Sequence, residues 1–273
     1  MFNPHTTSAP LLLSMLAIAA CLDNPGGKDG YDADKLFQMA ETALHHCRNE
    51  SRIDIIQALI VLSLRQTGNG DKRSAFAYAG RSSCMALNLG LHTAPTTAME
   101  PGELELRSRV YWNAYVIDKI LAEETGRPFL LPYRCSSTPF PSISEADEFE
   151  SWPPQIASSA PVPRSVAKIT PRRGYVMTYF VWTLRLAMIV EEILDIEITG
   201  PPVSDPWDQQ FVATLQSRHD TVRRAEHIAE QLEIWRKHMP SVLEVDQSSG
   251  LSPLPHHAIG LAVSCWIQEL TDS

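Results

Sequence analysis

Apolar residues recur at three- and four-residue spacing through most of this chain, whereas alternating β-branched runs closed by hairpin turns are almost absent. Helical spacing kept up over so many segments leaves one economical architecture, helix packed on helix. The predicted fold class is all-α: an irregular multi-helix bundle with a proline-rich central linker. The organisation read from the sequence is a helical half over residues 10–140, a linker over 141–173, and a second helical half over 174–273 that reads as truncated.

The first apolar run, LLLSMLAIAAC (Leu11–Cys21), has the look of a signal-peptide core. No Lys or Arg precedes it, the first charged residue being Asp23, and a secretory signal normally carries a positive start. The run is also too short to span a bilayer. A buried core helix is the reading it favours, with an exported or membrane-attached protein as the alternative.

Four helices are expected next. Over Gly30–Arg48, Leu36, Met39, Ala40, Ala43 and Leu44 fall on one face. Ile55–Leu64 is apolar nearly all round and reads as central, with Ser51 or Asp54 as its cap. Lys72–Leu89 ends at Gly90, which takes a left-handed conformation cheaply, so that Leu91 folds back over the last turn. Pro101–Glu124 carries the stripe Val110, Ala114, Ile117 and Leu121, flanked by Tyr111, Trp112 and Tyr115. Glu103–Arg107 and Glu105–Arg109 are spaced to pair on its surface. Gly126 ends it as Gly90 ends the third, and Pro128 forbids continuation.

Prolines then crowd the stretch 130–174, with acids at Glu145, Asp147, Glu148 and Glu150, and residues 150–172 read as a loop. Arg164, Lys168, Arg172 and Arg173 are too sparse to read as more than a solvated stretch. Helices are predicted over Tyr175–Ile198, from an Asp205-Pro206 start to Met239, and over Leu254–Leu270. The stripe of the second is Leu215, Val222, Ala225, Ala229, Leu232 and Met239.

No reaction chemistry stands out. His45-His46 and His256-His257 are adjacent pairs, whose side chains diverge by about 100° on a helix. Five cysteines are scattered and none lies within four residues of another, so metal-binding pairs are missing. GRSSC (Gly80–Cys84) lacks the second glycine of a nucleophile elbow and falls inside a helix. Phosphate-cradling glycine motifs are absent. No catalytic, metal or cofactor residue is assigned. A net charge of −9 disfavours nucleic-acid phosphates over the body of the protein.

The segment IIQALIVLSLRQTGNGDKRSAFAYAGRSSCMALNLGLHTA resembles the middle homology region of fungal binuclear zinc-cluster transcription factors. Gln57-Ala58-Leu59 and Leu89-Gly90-Leu91-His92 match its two marks. An acid, arginines, an aromatic pair, an aspartate and a Gly-Arg-Pro follow in the family's order, here Glu105, Arg107, Arg109, Tyr111-Trp112, Asp118 and Gly126-Arg127-Pro128. LEIWRKHMPSVL (Leu232–Leu243) looks like a later element. Ser108 interrupts the usual arginine triplet, Lys119 replaces a usual arginine, and the six-cysteine zinc cluster is missing.

The resemblance implies a nuclear regulatory domain that is not an enzyme. Its expected partners are transcription machinery or other regulators, with a homodimer and a small-molecule effector compatible with it, and no membrane. Zinc is expected only in the family's DNA-binding module, so this chain alone is not expected to bind DNA. Gly90, His92, Arg109, Trp112, Asp118, Gly126, Arg127 and Pro128 are expected to brace the fold, with Arg109, Asp118 and Arg127 forming one charged network. The competing reading is a helical enzyme with an unrecognised site.

Overall fold

A computed structural model describes residues 7–23, 32–144, 146–152, 172–198 and 211–243. The helices are α1 (Ala9–Asp23), α2 (Ala33–His46), α3 (Ile53–Gly68), α4 (Lys72–Asn88), α5 (Pro101–Thr125), α6 (Val176–Ile198) and α7 (Phe211–His238). The all-α class holds. A single two-residue antiparallel pair, β1 (Ser151–Trp152) with β2 (Arg172–Arg173), is the extended structure among the described residues.

The chain divides into two compact units. One comprises residues 1–140 and 190–221, the other 141–189 and 222–273, so the division runs through α6 and α7.

In the first unit α3 is the hub, packing on α1, α4 and α5. Its apolar circumference explains the position: Ile55, Ile56, Ala58, Leu59 and Leu62 are all buried. α1 packs on α2 and α3, with Leu11 and Leu13 against the core and Met15 and Leu16 outward. Among the described residues no helix is long and apolar enough to cross a membrane. α2 buries Ala40 and Leu44, but Met39 is 46% exposed and lies off the expected face.

Caps follow local chemistry. Asp32 accepts the N–H groups of Asp34 and Lys35 at the start of α2, and Asp71 accepts that of Ser74 at the start of α4. Neither Ser51 nor Asp54 caps α3. The helix starts at Ile53 after Arg52, and Asp54 lies within its first turn, paired with Arg52 at 2.5 Å.

In the second unit Glu148 starts α6. Its buried carboxylate accepts the Met177 N–H at 2.8 Å, the Thr178 N–H at 3.1 Å and the Thr178 hydroxyl. A negative charge is favoured at that end of a helix. The β1–β2 pair sits beside it, where Gly174 N–H also reaches Glu150 O at 2.9 Å.

α7 buries a different face from the one expected. Val222 is 57% exposed, Ala225 and Ala229 are exposed, and Ile228 is buried instead. The inner face runs through Ile228, Leu232 and Trp235, because the Trp235 indole donates to Trp182 O at 3.1 Å and its ring meets Trp182 edge-on. The Asp205-Pro206 start, the helix over Leu254–Leu270, Leu215's side chain, His256-His257, Cys265, Glu145, Arg164 and Lys168 lie outside the described residues.

Candidate functional site

The two glycines that stop α4 and α5 set up the most organised region. Gly90 has φ 64° and Gly126 φ 62°, both left-handed. Leu91 N–H reaches back to Ala86 O at 2.9 Å, and Arg127 N–H to Ala122 O at 3.0 Å, the long bond of a Schellman turn in each case. Leu91 is buried over the end of α4, as its position after the glycine requires.

A single strap, Phe129–Phe140, then ties the Gly90 turn to α5. Ser137 N–H donates to His92 O at 2.9 Å, Ala94 N–H to the Ser137 hydroxyl at 3.0 Å, and the Thr138 hydroxyl to Leu91 O. On α5, the Ser108 hydroxyl and the Trp112 indole both donate to Pro139 O, at 2.6 and 2.8 Å. Trp112 is also the centre of an aromatic cluster with Tyr111, Tyr115, Tyr133 and Phe140, its ring centroid 5.0–6.3 Å from theirs.

Beneath the strap lies a buried charge cluster. Asp118 accepts the N–H groups of Leu130 and Leu131 at 2.9 Å and the Lys119 ammonium at 3.0 Å. Lys119, 1% exposed, also donates to Leu131 O at 2.6 Å and lies 3.4 Å from Glu191 on α6. Its ammonium stands 4.3 Å over both the Tyr115 and Phe129 rings. Glu191 in turn accepts Tyr133 N–H at 2.8 Å and the Tyr115 hydroxyl at 2.7 Å. Burial pushes the Tyr115 hydroxyl far above the ordinary tyrosine range, and the Glu191 carboxylate adds to the shift. Burial raises Tyr111 likewise.

Chemically this is a closed arrangement. Three ammonium protons face three oxygens, and both carboxylates are occupied by donors. Groups engaged in this way hold α5, the strap and α6 together.

The predicted network of Arg109, Asp118 and Arg127 does not form. Arg109 and Asp118 are nine residues apart on α5. That separation is about 13.5 Å along the axis and about 180° around it, so they occupy opposite faces. Arg109 pairs with Glu105 at 2.6 Å, as its spacing suggested. Arg127 lies outside, its guanidinium 4.8 Å over the Phe76 ring. Arg107 donates to Leu89 O at 3.1 Å, closing the end of α4. The remaining motif residues are Gly90 and Gly126 at the turns, His92 just past Gly90 with its carbonyl bonded to the strap, Trp112 in the core and Pro128, which is exposed after Gly126.

Sequence reasoning passed over Tyr115's partner Glu191, and treated Ser108 and Lys119 only as departures. Both departures are buried and hydrogen-bonded. The signal was available: Asp118-Lys119 interrupts an otherwise apolar stretch of α5, where an unpaired charge could not remain.

Elsewhere, the His45 and His46 rings stand edge-on, 6.4 Å apart. Ser82 and Ser83 are buried within α4. Among the described residues, no three His, Cys, Asp or Glu side chains gather as a metal site, and Cys21, Cys47, Cys84 and Cys135 are free thiols.

Residues 2–201 match the model of the fungal specific transcription factor domain. This chain belongs to that family. Its members with similar sequences are transcription regulators. The Schizosaccharomyces pombe thiamine repressible genes regulatory protein thi1 is 25% identical over 81% of this chain and 24% of its own length. The Saccharomyces cerevisiae activatory protein CHA4 is 25% identical over 77% of the chain and 30% of its own. The Emericella nidulans nitrogen assimilation transcription factor nirA is 23% identical over 87% of the chain and 26% of its own. The chain thus spans roughly a quarter of the length of these relatives. No solved structure matches it. Membership makes the chain a regulatory domain of a fungal transcription factor, and the family's glycine, aromatic and aspartate marks coincide with the turns, the strap and the charge cluster just described.

Proposed function

We propose that this domain regulates transcription in the nucleus through contacts with other proteins, that effector binding modulates those contacts, and that it carries out no catalysis. The observation that carries the reading is the Asp118–Lys119–Glu191 cluster: the buried aspartate of the family's motif and the lysine beside it are engaged in joining α5, the strap and α6. Five cysteines without close spacing do not supply the six ligands of the family's zinc cluster, and a net charge of −9 repels phosphate. Specific DNA reading is therefore not a property of these 273 residues.

Two measurements test the reading. Fused to an unrelated DNA-binding domain, the chain should change transcription of a reporter carrying that domain's site, and a tagged chain should concentrate in the nucleus. In a mobility-shift assay the chain alone should form no sequence-specific complex. An inert fusion, or tight binding to a specific duplex that survives physiological salt, overturns the proposal.

A further inference from the structure

The first unit has a surface cavity of about 500 Å³ away from the charge cluster, lined by Glu41, Thr42, Leu44 and His45 of α2, Arg48 just beyond it, and Tyr78 and Arg81 of α4. Its size is within the range of small-molecule sites. The lining is mostly polar, and its apolar part is small: Leu44, which is buried, and the Tyr78 ring, which is nearly so. The rim is bipolar. Arg48, Arg81 and His45 stand on it in a chain whose net charge is −9.

Neither arginine has a carboxylate partner among the described residues. Arg48 follows the carboxyl end of α2, where a cation complements the helix dipole, and that alone would account for it. Arg81 has no such account. It lies in the middle of α4, and its three- and four-residue neighbours Ala77, Tyr78, Cys84 and Met85 include no acid. Opposite this charge, Glu41 accepts the Tyr78 hydroxyl through Oε1 at 2.5 Å, which leaves Oε2 for a further donor. Burial and that carboxylate together hold the Tyr78 hydroxyl above its ordinary range, so the phenol stays a neutral donor committed to Glu41.

We infer that this cavity binds a small organic carboxylate with an apolar body and a hydrogen-bond donor, amine or hydroxyl, near its charged end. The carboxylate meets Arg48 and Arg81, the donor meets Glu41, and the body lies on Leu44 and the Tyr78 ring. A doubly negative ligand is disfavoured by Glu41. Binding rests on this geometry alone; its regulatory meaning rests on the function proposed above.

Calorimetric titration of the full chain with L-phenylalanine, 3-phenyllactate, phenylacetate and phenethylamine tests it. Phenylalanine or phenyllactate should bind more tightly than phenylacetate, with the better of the two identifying the donor as amine or hydroxyl, and phenethylamine should not bind. The double variant R48A/R81A, altered only at exposed positions and checked for unchanged helicity, should weaken binding by about tenfold or more. Glu41→Gln keeps a partner for Tyr78 and should reduce the better probe to the level of phenylacetate. No binding of either donor-bearing probe, equal binding of phenylacetate, or undiminished affinity in R48A/R81A overturns the inference. Binding that behaves as expected while the reporter fusion stays inert leaves the site intact and removes the regulatory reading alone.

Discussion

The Lys119 ammonium lies 3.4 Å from the Glu191 carboxylate although 72 residues separate them in the chain. The contact fixes the later part of α6 to α5 within the first unit, and Tyr115 and the Tyr133 N–H reinforce it on the same carboxylate. One family mark, Asp118, belongs to this joint through Lys119, while Arg109 and Arg127 stand outside it.

Removing one member of that joint should be costly. Lys119→Met leaves the buried Asp118 and the partly buried Glu191 with one cation fewer, and the expected loss is about 3–5 kcal/mol. Arg127→Ala, which removes only an exposed contact with Phe76, should cost no more than about 1 kcal/mol. Urea midpoints of the two variants check the order. An Arg127 variant as damaging as the Lys119 variant would restore the three-residue network that the structure rejects.

Gly126→Ala places a Cβ in open space but at φ 62°, so its cost is purely conformational. A loss of about 1–2 kcal/mol is expected. Gly102→Ala, in the first turn of α5 with equally open surroundings and no positive φ, should stabilise by up to about 1 kcal/mol. Thermal melts should move in opposite directions.

Glu148→Ala strips the start of α6 of its acceptor. The expected destabilisation is about 1–2 kcal/mol. Hydrogen exchange should accelerate first at the Met177 and Thr178 amides, which lose their partner. Unchanged protection at those two amides would mean that the carboxylate is not their acceptor in solution.

Alkaline pH should unfold the first unit. The hydroxyls of Tyr78, Tyr111 and Tyr115 are all raised, by burial first, with Glu41 adding at Tyr78 and Glu191 at Tyr111 and Tyr115. In the unfolded chain tyrosine ionises near pH 10. Above that pH the folded state holds more protons than the unfolded one, so stability is complete below about pH 10 and declines as pH rises further. Circular dichroism against pH should show a loss of helix that coincides with tyrosine ionisation, and Tyr115→Phe should delay it at the cost of one hydrogen bond.

Much of the fold is legible in the sequence because helix signals are local. The glycine stops at Gly90 and Gly126, the all-apolar centre of α3 and the Val110–Leu121 stripe each need only a few neighbouring residues to be read. The site is less so, because it joins remote segments. Nothing near Glu191 points to Tyr115, and nothing near Glu148 points to Thr178. One error was avoidable: the nine-residue interval from Arg109 to Asp118 puts them on opposite sides of a helix by arithmetic alone. Another was not, since the inner face of α7 depends on where Trp182 meets Trp235.

Ser151 pairs with Arg173 and Trp152 with Arg172, so Trp152 and Arg172 are neighbours although 19 residues lie between them in the sequence. Glu148, 29 residues before Met177, secures the first turn of α6, so that turn is anchored to chain that precedes both strands.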